Sequence, residues 1–253
     1  RFIRQTSSFR HWITPDGSAG PTGKGGFRAE KGRYHLYVAY ICPWASRTLM
    51  ARALKGLSDY ISVSVVNPVL TDQGWTFGAY PDADEDKLNG AQYMHQIYTQ
   101  VDPQFTGRAT VPVLWDKHQH TIVNNESADI LRMLGSAFDH LTGNHLDLYP
   151  EALRSEIDAL NDYLYPALNN GVYQAGFASS QVAYEEAYHG VFAALDRLES
   201  QLADGRSFLL REQLTEADIR LWVTLIRFDL AYHSLFKCNR NTLRSMPRLW
   251  AYT

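Results

Sequence analysis

Residues 34–57 read YHLYVAYICPWASRTLMARALKGL, and the change of period inside this stretch decides the fold. Tyr34 to Tyr40 is rich in Tyr, Leu and Val and reads as a buried strand, whereas from Pro43 to Leu57 the apolar residues recur at helical spacing. The switch falls at Ile41-Cys42-Pro43. Proline suits the first position of a helix, where its missing N–H would be unpaired anyway, so Pro43 places Cys42 at the N-cap. Gly56 closes the helix. Ile61 to Val66, ISVSVV, is a second strand, which makes the opening a βαβ unit with a right-handed parallel pair.

Working outward, residues 67–92 carry Pro68, Gly74, Gly78, Pro81 and Gly90 with an acidic cluster, Asp82, Asp84, Glu85 and Asp86. This is loop chemistry, and the cluster is expected to be solvated. Tyr93 to Val101 reads as a short helix. Thr110 to Trp115 and Thr121 to Val123 read as a hairpin, followed by a helical run to Leu134 with Ser127 as its expected N-cap. Residues 34–134 therefore read βαβ, loop, ββα. The stretch Gly135 to Pro150 has the turn residues of a linker. Beyond it only amphipathic helical patterns remain, Leu153 to Leu168, Ser180 to Ala203, Thr215 to Phe236 and one starting near Arg244. Thr215-Glu216-Ala217-Asp218 is a variant of the capping box. The fold class is thus α/β followed by all-α.

Composition narrows the function. The chain has 253 residues, 24 Lys plus Arg against 27 Asp plus Glu, 45% hydrophobic and 13% aromatic residues, which describes a globular chain able to build its own core. A balance of −3 without a basic run removes the electrostatic footprint of nucleic-acid binding. No apolar stretch approaches the roughly 20 residues of a membrane helix, and the first residues do not read as a secretory signal, so a cytoplasmic protein is expected. The only cysteines, Cys42 and Cys238, are then expected to be free thiols. The chain opens on Arg1 and stops at Thr253 within a helical pattern, which reads as a portion of a longer product. Nine histidines, among them His118 with His120 and His140 with His145, show no ligand spacing, and no metal site is expected. The glycines of GPTGKGGF lack the strand and the GK[ST] ending of a phosphate loop and read as a flexible N-terminal segment.

Three features could carry chemistry. Cys42 sits where the unpaired N–H groups and partial positive charge of a helix N-terminus favour a thiolate, the nucleophile of disulfide and thioether exchange. No CxxC is formed, since Ala45 and Ser46 follow, so any second thiol comes from outside. A buried structural cysteine is the competing reading, and it is the favoured one for Cys238, which has no such junction. Val111-Pro112 ahead of a strand has the pattern of a cis bond, which would offer the backbone groups of Val111 to a peptide ligand. Glu126-Ser127 at a helix start could hold the ammonium and carboxylate of a free amino-acid terminus, or simply cap the helix.

Together these features resemble the glutathione transferases. The stretches SSFRHWIT, GRYHLYVAYICPWASRTLMARALKGL, RATVPVLWDK, IVNNESADILRML, LNNGVYQAGFA, LTEADIRLWVTLIRFD and FKCNRN are similar to those of the glutathionyl-hydroquinone reductases, the Xi class. The resemblance implies a thioredoxin-like N-terminal domain and a helical C-terminal domain. The boundaries are 1–33 for an N-terminal extension, 34–136 for the glutathione-binding domain, 137–150 for the linker and 151–253 for a substrate domain expected to continue past Thr253. It also implies that glutathione is the co-substrate, that no metal takes part and that the chain forms a homodimer. Members release hydroquinones from glutathionyl-hydroquinones and produce glutathione disulfide. Cys42 would attack the glutathionyl sulfur. Trp75, Arg108, Val111, Pro112, Glu126 and Ser127 would bind glutathione, and Tyr173, Phe228 and Tyr232 would line a pocket for the aromatic substrate, with plain packing the competing reading of each aromatic residue. Ser46 stands where the family often has His, with tuning rather than loss expected. An Omega-like thiol transferase or dehydroascorbate reductase, and a non-catalytic binding module on the same fold, are the alternatives.

Overall fold

Tyr34–Val38 forms the central strand β1, and all five of its residues are buried, as a strand covered on both faces must be. The computed structural model describes residues 2–253, so Arg1, at the head of the expected 1–33 extension, lies outside the described residues. After β1 come helix α1 (Pro43–Leu54), strand β2 (Ile61–Val65), helix α2 (Met94–Val101), strands β3 (Val113–Asp116) and β4 (Thr121–Asn124), and helix α3 (Ser127–Leu134). The strand order is β2-β1-β3-β4. β1 runs parallel to β2, with Leu36 opposite Val63, and antiparallel to β3, with Leu36 opposite Leu114. This βαβ-ββα arrangement, with the βαβ unit that the opening stretch predicts, is the thioredoxin-like fold that the family resemblance implies.

The chain forms two compact units, one of Gln5–Asp147 and one of residues 2–4 with Leu148–Thr253. In the first, Phe27, Tyr34, Tyr37, Trp115 and Phe138 are completely or almost completely buried. Of the stretch expected to be flexible, 20–27, Pro21 to Lys24 are exposed while Phe27 is fully buried, and the segment ahead of it is anchored by the buried Trp12 and Ile13. Its backbone is bonded too, His11 N–H to Val123 O at 2.9 Å and Thr14 N–H to Phe27 O at 3.1 Å. Its glycines serve close approach, since a Cβ on Gly20 would lie 2.4 Å from Trp12 Cβ. The acidic loop is corrected at one position as well. Asp86 is buried and accepts from Tyr37 Oη at 2.9 Å and from the N–H groups of Leu88, Asn89 and Ala91, so it shapes the loop from inside. The stretch after α3 is packed rather than loose: it contains the short helix α4 (Asp139–Thr142), and Lys55 Nζ reaches Asp139 at 3.0 Å and Asn144 O at 3.3 Å.

The second unit is helical: α5 (Arg154–Leu164), α6 (Gly171–Gly176), α7 (Gln181–Gln201), α8 (Glu216–Arg227) and α9 (Pro247–Tyr252). Leu168, Val172, Val191, Leu195, Leu221 and Phe228 are at the centre of its core. The helix expected over Leu153 to Leu168 stops at Leu164 and continues as a π turn, Tyr165–Asn169, where Pro166 has no N–H to give the α ladder. A second π turn, Phe228–Tyr232, ends α8. Helix α6 falls in the gap between the helices expected over Leu153 to Leu168 and Ser180 to Ala203, where no element is expected. Asn169 is drawn inward, donating to Thr224 Oγ1 at 2.7 Å and to Arg220 O at 2.9 Å.

Candidate active site

The Cys42 residue is the N-cap of α1, with extended backbone angles of −79° and 117°. Its N–H bonds Ala39 O at 3.0 Å, which closes the turn out of β1, and its carbonyl accepts from Ser46 N–H at 3.1 Å. Pro43 at the first helical position has no N–H of its own to leave unpaired there. Cys42 is 9% exposed, and its thiol donates to the carbonyl of Val111 at 3.6 Å. Val111 is joined to Pro112 by a cis bond. The Ser46 hydroxyl, one turn into α1, donates to the Cys42 carbonyl at 3.0 Å.

A second helix start belongs to the same unit. Glu126, not Ser127, is the N-cap of α3: its backbone is extended and its Oε1 accepts from Ala128 N–H at 3.2 Å. Ser127 is the first helical residue and is buried, and its hydroxyl accepts from Arg47 Nη1 at 3.3 Å. Arg47 lies on α1, five residues beyond the cysteine, with its guanidinium 4.6 Å above the Trp44 ring. One buried cation therefore ties the helix that starts at the thiol to the helix that starts at Glu126. Trp75, half-buried in the loop after β2, accepts at its carbonyl from Met94 N–H at 2.9 Å and so meets the start of α2. Arg108 is exposed in the loop before β3, with its N–H bonded to Gln5.

Two groups at this site escaped the sequence reading. Ser7 Oγ donates to Glu126 Oε2 at 3.0 Å, and Gln5 Oε1 accepts from Arg108 N–H at 3.0 Å. RQTSSFR has no apolar periodicity that would mark it as anything but loop, and its partners lie more than 100 positions away.

The three aromatic candidates are in the helical unit. The hydroxyls of Tyr173 and Tyr232 lie 3.0 Å apart, their rings meet edge to face at 5.6 Å, and Phe236 contacts both. The Arg4 guanidinium stands 5.0 Å from the Tyr173 ring centre and bonds Asn170 Oδ1 at 3.0 Å. Phe228 is fully buried behind them, edge-on to Phe192. Cys238 is likewise enclosed, and burial pushes its thiol up to about 12. Among the described residues no cluster of His, Cys, Asp and Glu is suited to hold a metal ion, and no helix is long and apolar enough to cross a membrane.

A thioredoxin-like unit with a cysteine N-cap, followed by a helical unit, defines a glutathione transferase. Family models agree: glutathione S-transferase, N-terminal domain, matches residues 41–137, and glutathione S-transferase, C-terminal domain, matches residues 181–253. Glutathionyl-hydroquinone reductase YqjG of Escherichia coli is 54% identical over 100% of this chain and 77% of its own length. Its glutathione-bound structure superposes with a TM-score of 0.95 over 97% of this chain and 80% of that one. Glutathionyl-hydroquinone reductase PcpF of Sphingobium chlorophenolicum is 49% identical over 98% of this chain and 76% of its own. The Xi glutathione transferase of Phanerochaete chrysosporium, 53% identical, superposes with a TM-score of 0.94, covering 99% of this chain and 84% of that one. The chain belongs to the glutathionyl-hydroquinone reductases, the Xi class of the glutathione transferases.

Proposed function

We propose that the protein carries out glutathione-dependent reductive deglutathionylation of glutathionyl-hydroquinones, with Cys42 as its nucleophile. The observation that carries this reading is the Cys42 thiol at the N-terminus of α1, 3.6 Å from the carbonyl of Val111. A helix N-terminus stabilises the thiolate there, and the other cysteine, Cys238, is fully enclosed.

In the first step the Cys42 thiolate attacks the sulfur of the glutathionyl substrate. A Cys42–glutathione disulfide forms, the carbon–sulfur bond breaks, and its electron pair leaves on the ring carbon, which takes up a proton to give the hydroquinone. A second glutathione thiolate then attacks the glutathione sulfur of the mixed disulfide, which releases glutathione disulfide and returns Cys42 to its thiolate. The backbone of Val111, ahead of Pro112, pairs with the peptide part of glutathione. Glu126 and Ser127 receive its γ-glutamyl end, Arg108 pairs with a carboxylate, and Trp75 closes over the ligand. Tyr173 and Tyr232, backed by Phe228, form the aromatic wall for the quinol ring. Residues 34–136 thus serve glutathione and 151–253 the aromatic substrate. A homodimer is part of the same reading, and sedimentation tests it.

The experiment is to incubate the protein and its Cys42→Ser variant with a glutathionyl-hydroquinone and glutathione, following free hydroquinone and intact mass. The wild type is expected to turn over and to carry a glutathione adduct on Cys42, and the variant to do neither. Undiminished turnover in Cys42→Ser would sink the assignment.

A further inference from the structure

The extended segment ahead of Phe27 reaches the proposed glutathione site at two points. It lies antiparallel beside the end of β4: His11 N–H bonds Val123 O at 2.9 Å, Asn125 N–H bonds Phe9 O at 3.1 Å, and Arg10 pairs with Asn124. Phe9 N–H also donates to Asn125 Oδ1 at 3.2 Å. Successive side chains of an extended chain alternate in direction, so Gln5, Ser7 and Phe9 share one face. Each uses it. Phe9 packs edge-on to Tyr98 at 5.7 Å, Ser7 Oγ donates to Glu126 Oε2 at 3.0 Å, and Gln5 Oε1 accepts from Arg108 N–H at 3.0 Å.

The Glu126 carboxylate is thereby fixed through both oxygens, Oε1 by Ala128 N–H and Oε2 by Ser7. Without Ser7 the side chain would regain rotamer freedom that ligand binding must then remove. An ionised carboxylate oxygen has room for a further donor, so the Ser7 bond orients the carboxylate without using up its capacity for an ammonium group. The Gln5 bond does the corresponding work on the backbone that carries Arg108.

We propose that Gln5 and Ser7 are positioning residues of the glutathione site, holding the Arg108 loop and the Glu126 carboxylate in the arrangement that receives the γ-glutamyl ammonium and a carboxylate of glutathione. This rests on the assignment of Glu126 and Arg108 as glutathione-binding residues.

The test uses the full chain with Ser7→Ala, Gln5→Ala, the double variant, Ser7→Thr and Glu126→Ala, measuring the glutathione Kd by calorimetry together with kcat and KM. Loss of one hydrogen bond to a charged group predicts a rise of about fivefold to twentyfold in Kd and KM for glutathione in Ser7→Ala. At saturating glutathione kcat is expected to stay within about twofold, since the bond acts on binding and not on the sulfur. Ser7→Thr, which keeps the hydroxyl, restores the wild-type Kd. Ser18→Ala, an exposed serine bonded locally to Asp16, changes nothing. An unchanged Kd in Ser7→Ala and the double variant, alongside a raised one in Glu126→Ala, overturns the positioning role alone. An unchanged Kd in Glu126→Ala overturns the site assignment and the inference with it. A fall in kcat and Tm without a change in Kd makes the segment structural only and also overturns the inference.

Discussion

The Cys42 thiol donates to the carbonyl oxygen of Val111 across 3.6 Å, a contact between residues 69 positions apart in the chain. Two unrelated sequence features make it. One is the strand-to-helix switch that places Cys42 at an N-cap, and the other is the Val111-Pro112 pair that turns the chain into β3. In the proposed function the pair serves a cysteine-containing peptide, the Cys42 sulfur reacting with the peptide's sulfur while the backbone of Val111 pairs with its main chain.

The two thiols should differ in reactivity. Cys42 is 9% exposed at the start of a helix, whereas Cys238 is fully enclosed and burial pushes its thiol up to about 12. Native protein treated with iodoacetamide near pH 8 is expected to gain one carbamidomethyl group, at Cys42, and the Cys42→Ser variant none. In guanidinium chloride both thiols should react. Labelling of Cys238 in the folded protein, read by peptide mass spectrometry, would contradict the enclosure.

Acid should weaken the fold through His35. Its ring lies between Ser62 Oγ at 2.7 Å and Ser64 Oγ at 3.0 Å, and burial lowers it from 6.5 to about 4, with Lys117 acting the same way and Asp86 opposing. The folded chain holds His35 neutral while the unfolded chain protonates it near 6.5. The unfolded state therefore binds more protons as the pH falls, and stability is full above 6.5 and drains away down to about 4. The loss from this one group is about 3 kcal/mol at the bottom of the window. Urea titrations at several pH values should show that fall in the wild type. In His35→Gln, though less stable at pH 7, it should be absent.

The βαβ opening and the helical second half were legible because β1, α1 and β2 are short, strongly periodic elements bounded by Pro43 and Gly56. The placement of Cys42 at the N-cap of α1 was legible for the same reason, as it follows from a junction rather than from distant contacts. The N-cap of α3 was misplaced by one residue: Ser is the commoner cap, but Ser127 accepts from Arg47 on another helix, which leaves Glu126 to cap. Nothing local to Asp86 shows that Tyr37, 49 positions earlier, donates to it, so the sequence alone points to solvent. The same limit hid Gln5 and Ser7. A polar segment without period becomes structure only when a distant strand edge and a distant carboxylate supply its partners.

Asp218 should prove critical to the helical unit. The Thr215 to Asp218 capping box is present, with Thr215 N–H and Oγ1 donating to Oδ2 at 2.9 and 3.1 Å, and Asp218 Oδ1 also accepts from Leu209 N–H and Tyr252 Oη at 2.8 Å each. Burial, together with the adjacent Asp218 charge, raises the Tyr252 hydroxyl and keeps it a donor. Asp218→Ala strands four donors in a site that is 3% exposed, a loss of about 4 kcal/mol or more. Asp218→Asn, which keeps one oxygen, should lose roughly half as much. Chemical denaturation followed by circular dichroism measures both, and an Asp218→Ala variant within about 1 kcal/mol of wild type would refute the hub.

Ser127 lies where stability and binding can be separated. Its hydroxyl accepts from the buried Arg47 at 3.3 Å, and in the proposed function the same residue receives the γ-glutamyl end of glutathione. Ser127→Ala takes an acceptor from a guanidinium that is 1% exposed, so a stability loss of about 1–3 kcal/mol is expected whatever the ligand does. If Ser127 also bonds glutathione, Kd rises by about tenfold as well, the equivalent of one hydrogen bond to a charged group. Calorimetric titration well below the unfolding temperature separates the two effects. A loss of stability with unchanged affinity would reduce Ser127 to the acceptor that ties α3 to α1. Loss of both would place it in the ligand's path, at the helix start where Glu126 already presents a carboxylate fixed through both oxygens.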